Sequence, residues 1–227
     1  MFAGLVAFIS AIIPTLNEAE RIAAVITAIR NTSVDEVLVI DGGSEDGTRE
    51  IAESLGCRVI LSPVKSRAHQ LNLGAKESQG DVLLFLHADT TVTPTAIDAL
   101  REVMDSRAEV VGGGFTRKFN SPSLFLRVSC FIAGLRSRLF RLFLGDQAMF
   151  VRKEPFMKLG TFDEEIEMGE DLDFSVRMRL AGKTATLSPA VLSSARRFEK
   201  RGPIVQTWLD GCAAVKIIKH GKEKLSK

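Results

Sequence analysis

Residues 7–44, AFISAIIPTLNEAERIAAVITAIRNTSVDEVLVIDGGS, decide the fold. Ala7–Pro14 is a nearly unbroken apolar run of strand length, the pattern of a strand buried on both faces. Glu18–Arg30 follows with Ile22, Val25, Ile26 and Ile29 at helical spacing, so one stripe of a helix faces a core. Glu36–Asp41 is a second apolar strand, and Gly42-Gly43-Ser44 turns the chain after it. Strand, helix and strand in such short succession make a β-α-β unit, whose crossover sets the two strands parallel.

The alternation continues outward. A helix over about Thr48–Leu55 precedes a short strand at Arg58–Ser62. A helix over Arg67–Glu77 leads into the apolar strand Asp81–Leu86, and Pro94–Asp105 is a further helix with Thr93 as cap and Pro94 at its first position. This succession predicts an α/β fold with a mostly parallel central sheet covered by helices on both faces. After Gly112-Gly113-Gly114 the pattern loosens into a strand at Phe115–Phe119, a basic amphipathic helix at Leu124–Leu144, a short strand at Gln147–Val151 and a helix at Glu170–Leu180. We expect a single domain over residues 1–227, with a nucleotide-holding half over about 7–114 and an acceptor-facing half over about 115–227.

Composition bounds the function. The 227 residues suffice for one core, and 45% hydrophobic with 26% charged residues is ordinary globular usage. Residues 1–114 carry 9 Lys and Arg against 16 Asp and Glu, whereas residues 115–227 carry 21 against 12. The acidic half argues against nucleic acid as a partner; the basic half suits the phosphates of a donor, a phosphorylated acceptor or anionic lipid. Cys57, Cys130 and Cys212 lie far apart with no C-x-x-C spacing, and the Met1–Ile13 run has no basic region before it and reads as a leading strand, which together point to a reduced, cytoplasmic protein. Arg127, Arg136, Arg138 and Arg141 make a membrane-spanning role for 124–144 costly. That helix then lies at the inner membrane face as a peripheral contact, packs on the sheet with its arginines in water, or joins two copies as a homodimer. The Lys-rich tail, Lys216–Lys227, either touches anionic lipid or frays.

In an open parallel sheet the ligand lies beyond the carboxyl ends of the strands, so polar residues there carry the chemistry. Four clusters qualify: Pro14–Glu18, Asp41–Ser44, His87-Ala88-Asp89 and Gly169-Glu170-Asp171. The first two also read as ordinary caps and turns. No G-x-G-x-x-G is present, so a nicotinamide dinucleotide is not indicated. Asp89 reads either as a turn cap or as a ligand for a hard divalent ion bridging a diphosphate. Glu170-Asp171 either answers the dipole of its helix or supplies a base that removes a proton from an attacking hydroxyl. Lys65 and Arg67 precede and open a helix, and Arg196-Arg197-Phe198 either clamps a diphosphate or covers a basic face.

Taken together these residues resemble the family 2 glycosyltransferases of the GT-A, Rossmann-like fold. The resemblance rests on Ile13-Pro14-Thr15-Leu16-Asn17-Glu18, Val39–Thr48, Asn72-Leu73-Gly74, Phe85-Leu86-His87-Ala88-Asp89 and Gly169-Glu170-Asp171, in that order, and spans about residues 9–200. The chain is most similar to a small bacterial subgroup, the rSAM/selenodomain-associated transferase 2-like proteins, through His87–Thr90, Gly145-Asp146-Gln147 and Ser194–Phe198. The resemblance implies a nucleotide diphosphate sugar donor held by Pro14, Thr15, Glu18, Asp41, Gly43 and Ser44. It places Arg67 near the base or phosphates and His87, Ala88 and Asp89 at the donor, with Mg2+ or Mn2+ on Asp89. It makes Asp171 the general base beside Glu170, sets Arg196 and Arg197 against the departing diphosphate, and puts Gly145, Asp146 and Gln147 on the acceptor side. The implied transfer inverts the sugar. His87 departs from the usual Asp-x-Asp by standing at its first acidic position, and Phe198 stands where tryptophan is usual. Two other readings remain. A sugar nucleotidyltransferase would need a Gly-rich basic loop where Pro14–Glu18 is acidic and glycine-free. A non-catalytic nucleotide-sugar-binding module is favoured by His87 and opposed by Glu170-Asp171. The acceptor, a hydroxyl or a lipid phosphate, is not identified by the sequence.

Overall fold

A computed structural model describes residues 6–196. Arg197, Phe198, Cys212 and the Lys216–Lys227 tail lie outside the described residues. Strand β1 (Ile9–Thr15) is buried at every residue. It runs parallel to β2 (Glu36–Asp41) on one side and β4 (Val82–Phe85) on the other, and β3 (Arg58–Leu61) lies parallel beyond β2. Past β4 the directions mix. β7 (Phe150–Arg152) is antiparallel to both β4 and β6 (Val110–Phe119). β6 is parallel to β8 (Lys183–Ser193), and β5 (Thr90–Thr91) pairs antiparallel with the end of β8. The result is one eight-stranded sheet, ordered β3-β2-β1-β4-β7-β6-β8-β5.

The period-2 alternation of β1 explains its two-sided burial. Ile9, Ala11 and Ile13 join Val39 and Leu84 under α1 (Ala19–Arg30) and α4 (Pro94–Ser106), which contribute Ile22, Ile26, Ile97 and Leu100. Ile12 joins Leu38, Ile40 and Leu83 on the opposite face under α3 (Arg67–Glu77), α6 (Lys153–Lys158) and α7 (Glu170–Ala181). There Phe85, Phe156, Phe162 and Phe174 stack with centroids 4.9–5.2 Å apart, at tilted or edge-on angles that suit aromatic quadrupoles. Thr93 caps α4 by accepting from the Ala96 amide, as its sequence predicts. Helix α2 (Thr48–Ser54) covers the β2–β3 crossover.

The second half corrects several expectations. Gly112-Gly113-Gly114 does not loosen the chain; it lies inside β6, because neighbouring groups approach too closely for side chains. A Cβ on Gly113 would sit 1.9 Å from the Ala185 carbonyl oxygen, and one on Gly112 2.5 Å from that of Phe150. The helix expected to reach Leu144 is α5 (Leu124–Phe140), which stops at Arg141 in the left-handed region (φ 58°). Arg141 then donates to the Gly182 carbonyl, and Leu142 and Phe143 turn inward. The strand expected at Gln147–Val151 begins at Phe150 instead. Gly145–Gln147 forms one 3-10 turn, and Ala148 holds φ 46°, so extension is delayed. Helix α6 and strands β5 and β8 were not anticipated. The first two are short, and β8 carries Pro189, a residue that speaks against a strand interior.

Gly113→Ala is expected to cost about 3 kcal/mol or more, because backbone must move to admit the methyl group. A urea midpoint lowered at unchanged m-value checks this.

Candidate active site

The carboxyl ends of β1, β2 and β4 open on one side of the sheet, and their loops are stitched together by short polar side chains. Asp41 ends β2 and holds the turn that follows. One of its oxygens accepts from the Gly43 and Ser44 amides at 2.9 Å each, and the other accepts from the hydroxyls of Ser44 at 2.5 Å and Thr15 at 3.2 Å. Gly43 takes φ +88°, a conformation that glycine adopts without strain. The amides of Asn17, Glu18 and Ala19 donate to Ser44, Thr48 and Asp46 respectively, which fastens the Pro14–Glu18 loop to the Asp41–Thr48 loop. Gln70 locks the arrangement from beneath. Its amide donates to the carbonyls of Thr15 at 2.8 Å and Ile40 at 2.7 Å, holding the ends of β1 and β2 at one spacing.

These loops enclose a cleft of about 280 Å³. Pro14, Thr15, Glu18, Lys65, Arg67, His87, Ala88, Asp89, Asp146 and Arg196 line it, together with Leu16, Gln70, Phe119, Ser193 and Ser194. Asp41, Gly43 and Ser44 build its rim loop rather than its lining. Glu18 is bracketed by cations, with Arg196 at 3.0 Å and Arg21 at 3.3 Å. The end of β8 closes the side beside Asp89, through Thr90 paired with Ser193 and the Ser194 amide donating to the Asp89 carbonyl.

At the cleft floor Arg67, the first residue of α3, meets Glu170, the first residue of α7, in a bidentate ion pair whose second contact is 3.0 Å. Burial works against the Arg67 charge. Glu170, with help from Asp171 and Asp89, outweighs it and pushes the guanidinium pKa up. Asp171 follows Glu170 and accepts from the Gly145 and Leu172 amides. Burial and then the neighbouring Glu170 charge push its carboxyl above the ordinary carboxylate range, against the opposing pull of Arg67 and those amides. An acid at a helix start normally ionises more easily, so dipole compensation alone does not describe Asp171.

Gly145 brings His87 to this carboxylate. A Cβ there would lie 2.3 Å from His87 Nε2 and 3.0 Å from Asp171 Oδ2, so the missing side chain is the space in which the two groups approach. Asp146 turns the other way and pairs with Arg117, which stacks over Phe119 at 4.8 Å. Gln147, expected on the acceptor side, is fully buried: it donates to the Phe115 carbonyl at 3.0 Å and accepts from Arg136 at 2.8 Å. Burial and then Arg117 lower the Arg136 pKa to about 10.

Among the described residues no group of three His, Cys, Asp or Glu stands close enough to hold a metal ion by protein ligands alone. Asp89 on the cleft wall offers one carboxylate. That donor set fits a hard ion that takes most of its ligands from a bound diphosphate and water. The residues that sequence reasoning missed are Gln70, Phe119 and Ser193, while Ser194 entered only within the Ser194–Phe198 motif. Gln70 alone had a signal, as a polar side chain in the stripe of α3 that buries Leu71, Gly74 and Ala75.

A mixed sheet with a polar cleft across its parallel carboxyl ends defines an α/β protein whose ligand site lies at the strand ends. The profile of glycosyl transferase family 2 matches residues 10–160, and the chain belongs to that family. A Mycobacterium bovis PGL/p-HBAD biosynthesis glycosyltransferase is 31% identical over 180 residues, covering 74% of this chain and 68% of that one. Glycosyltransferase AglJ of Haloferax volcanii is 38% identical over 104 residues, covering 45% of this chain and 34% of that protein. The chain thus spans about a third of AglJ. Among solved structures, a mannosyltransferase from Pyrobaculum calidifontis in complex with GDP-Man and Mn2+ superposes with a TM-score of 0.68 at 18% identity, over 83% of this chain and 56% of that one.

Replacing Gln70 with leucine keeps the volume and removes both carbonyl bonds. We expect a loss of about 2 kcal/mol of stability and weaker nucleotide binding, read by denaturant titration and calorimetry.

Proposed function

We propose that the protein transfers a sugar from a nucleotide diphosphate sugar, held in the cleft, to an acceptor oxygen presented beside Asp171. The observation that carries this reading is the position of Asp171, a carboxylate of raised pKa that touches the cleft through Gly145 and His87. In this reading the nucleoside lies against Pro14, Thr15 and Glu18, on the loop that Asp41, Gly43 and Ser44 keep in shape. The diphosphate lies toward Lys65, Arg67, Arg196 and Asp89, with Arg197 as a further cation outside the described residues. Asp89 would hold Mg2+ or Mn2+, which neutralises developing charge on the diphosphate when bound. The P. calidifontis mannosyltransferase, with its GDP-Man and Mn2+, supports both the donor class and the ion.

The reaction then follows. Asp171 accepts the proton of the acceptor hydroxyl as that oxygen attacks the anomeric carbon from the side away from the diphosphate. The bond from the anomeric carbon to the diphosphate oxygen breaks, its electron pair leaves with the nucleoside diphosphate, and the configuration inverts. Arg67 and Arg196 stabilise the leaving group. The raised pKa gives this carboxylate more proton affinity than an ordinary one, which favours transfer once it is ionised.

Calorimetric titration with UDP, GDP, CDP and TDP, each with Mn2+, Mg2+ or EDTA, tests the donor site. Metal-dependent, base-selective binding is expected, and no binding by a folded sample overturns the reading. Asp89→Ala should weaken the metal-dependent part. Asp171→Asn should bind the preferred nucleotide within a few-fold of wild type and lose roughly 100-fold or more in nucleoside diphosphate release from the donor sugar. Full release by that variant removes Asp171 as the base.

The pH profile has a definite sign. Asp171 must be ionised to act, so the rate falls as pH drops through its raised pKa. Glu170→Gln removes the neighbouring negative charge and should move that acidic limb to lower pH.

A further inference from the structure

Helix α5 carries two stripes on opposite sides, and the fold described so far covers one of them. Leu126, Ala133 and Ser137 face inward and are buried. Leu124, Val128, Phe131, Ile132, Leu135 and Leu139 recur at helical spacing on the other side, and every one is exposed, Phe131 by 72% and Leu139 by 64%. A helix that is apolar on both sides is normally covered on both, and an exposed apolar surface of this length marks a contact. Arg127 and Arg138 border the outer stripe, and α5 contains no Asp or Glu.

The described chain ends beside the start of this helix. Ala195 packs with Leu126 and Phe119, and Arg196 follows, lining the donor cleft and pairing with Glu18 at 3.0 Å. In the sequence beyond, Ile204, Trp208, Cys212 and Val215 recur at helical spacing with Val205 beside them, after a Gly202-Pro203 pair that suits a helix start. From Gly202 to Val215 the sequence has no Lys or Arg, and Asp210 is its one charged residue. As a helix, residues 203–218 would span about 24 Å, against about 26 Å for α5. Residues 197–202 reach up to about 20 Å, enough to pass the roughly 10 Å width of a helix and arrive at the outer stripe.

We propose that residues 203–218 dock on the outer stripe of α5 and so strap Arg196 against the donor cleft. Charge favours this occupant over a second copy of the helix. Two copies of α5 face to face would each bring Arg127 and Arg138 and no acid. The segment brings Asp210 and, as far as Val215, no cation. The stretch that carries Arg196 is then fixed at both ends, by the pairing of β8 with β5 before it and by the docked segment after it. The strap takes its meaning from the glycosyl-transfer reading, whereas the docking does not depend on it.

Trp208 is the one tryptophan of the chain, so its emission reports the docking directly. In the folded full chain, without lipid, its emission is expected at shorter wavelength than in urea and its quenching by acrylamide several-fold weaker. Leu135→Asp and the milder Leu139→Gln should shift the emission toward that of the chain in urea while circular dichroism keeps the native helix content. Leu180→Asp, an equally exposed position at the end of α7, should leave it unchanged. Trp208 as exposed in the folded wild type as in urea overturns the proposal, including where vesicles of phosphatidylglycerol then protect it. Protection that neither α5 variant disturbs overturns it too, because the segment then packs elsewhere. So does light scattering that finds a dimer dissociated by Leu135→Asp, because a second copy then covers the face. Both α5 variants should also weaken the preferred nucleotide with Mn2+ about ten-fold, through loss of a positioned guanidinium. Unchanged nucleotide binding by a variant with exposed Trp208 overturns the strap. A wild type that binds no nucleotide rejects the donor reading instead, and the emission still decides the docking.

Discussion

The ion pair between Arg67 and Glu170 is the constraint on which the site depends. Its partners are 103 residues apart and open two helices, α3 and α7, on the same face of the sheet. Glu170 is almost completely buried, where an ionised carboxylate is stable only with a well-placed partner. Removing either side would leave an uncompensated charge and release the two helix starts from each other. Joined as they are, both helices point their positive ends toward the cleft floor, a field that favours phosphate. The same pair sets the state of its neighbour. Burial first and then Glu170 raise the proton affinity of Asp171 while Arg67 limits the rise, so the proposed base is tuned in part by a contact in which it takes no part.

The half of the fold that could be read from the chain is the half in which strands are buried on both faces. β1, β2 and β4 are apolar runs separated by helices, and their loops carry the polar residues, so pattern and position agree. The other half resists such reading because its determinants are distant in sequence. The three glycines of β6 resemble a break until Ala185, Phe150 and Phe143 are known to press against them. The pairing of β7 with both β4 and β6 covers only a few residues, and nothing local encodes it. The site divides in the same way. Thr15, Asp41, Asp89 and Asp171 stand at element boundaries that the pattern exposes. The bond from Gln70 to two strand ends and the closure of the cleft by Ser193 and Ser194 exist only once the sheet has assembled.

The charge asymmetry also acquires a different meaning from the one that composition suggests. The acids of the first half are not mainly ligand groups. Asp105, Asp81 and Asp35 accept from the successive amides of Ala7, Phe8 and Ile9 at 2.7, 2.6 and 2.8 Å, which secures the chain as it enters β1. Asp46 holds the start of α2 and reaches Ala19, and Asp41 spends both oxygens on its own turn and on Thr15. Carboxylates suit these places because each oxygen accepts more than one hydrogen bond. Of the described cations of the second half, Arg136, Arg141, Arg152 and Arg177 are absorbed in the same way, each donating to a backbone carbonyl. Arg127 and Arg138 remain exposed on α5, where they shape a surface instead of a backbone.

His87 is the departure that this geometry explains most directly. Its ring reaches the gap left by Gly145, and Asp171 borders the same gap. An aspartate at 87 would bring a third carboxylate toward Asp171 and Glu170. Like charges so placed raise one another's pKa, and Asp171 is already raised. Another negative charge would raise the Asp171 pKa further, and a protonated carboxyl accepts no proton. An imidazole occupies the same strand end without adding a negative charge. The histidine and the glycine therefore belong together: the glycine admits the ring, and the ring holds the position while leaving the neighbouring carboxylate able to ionise.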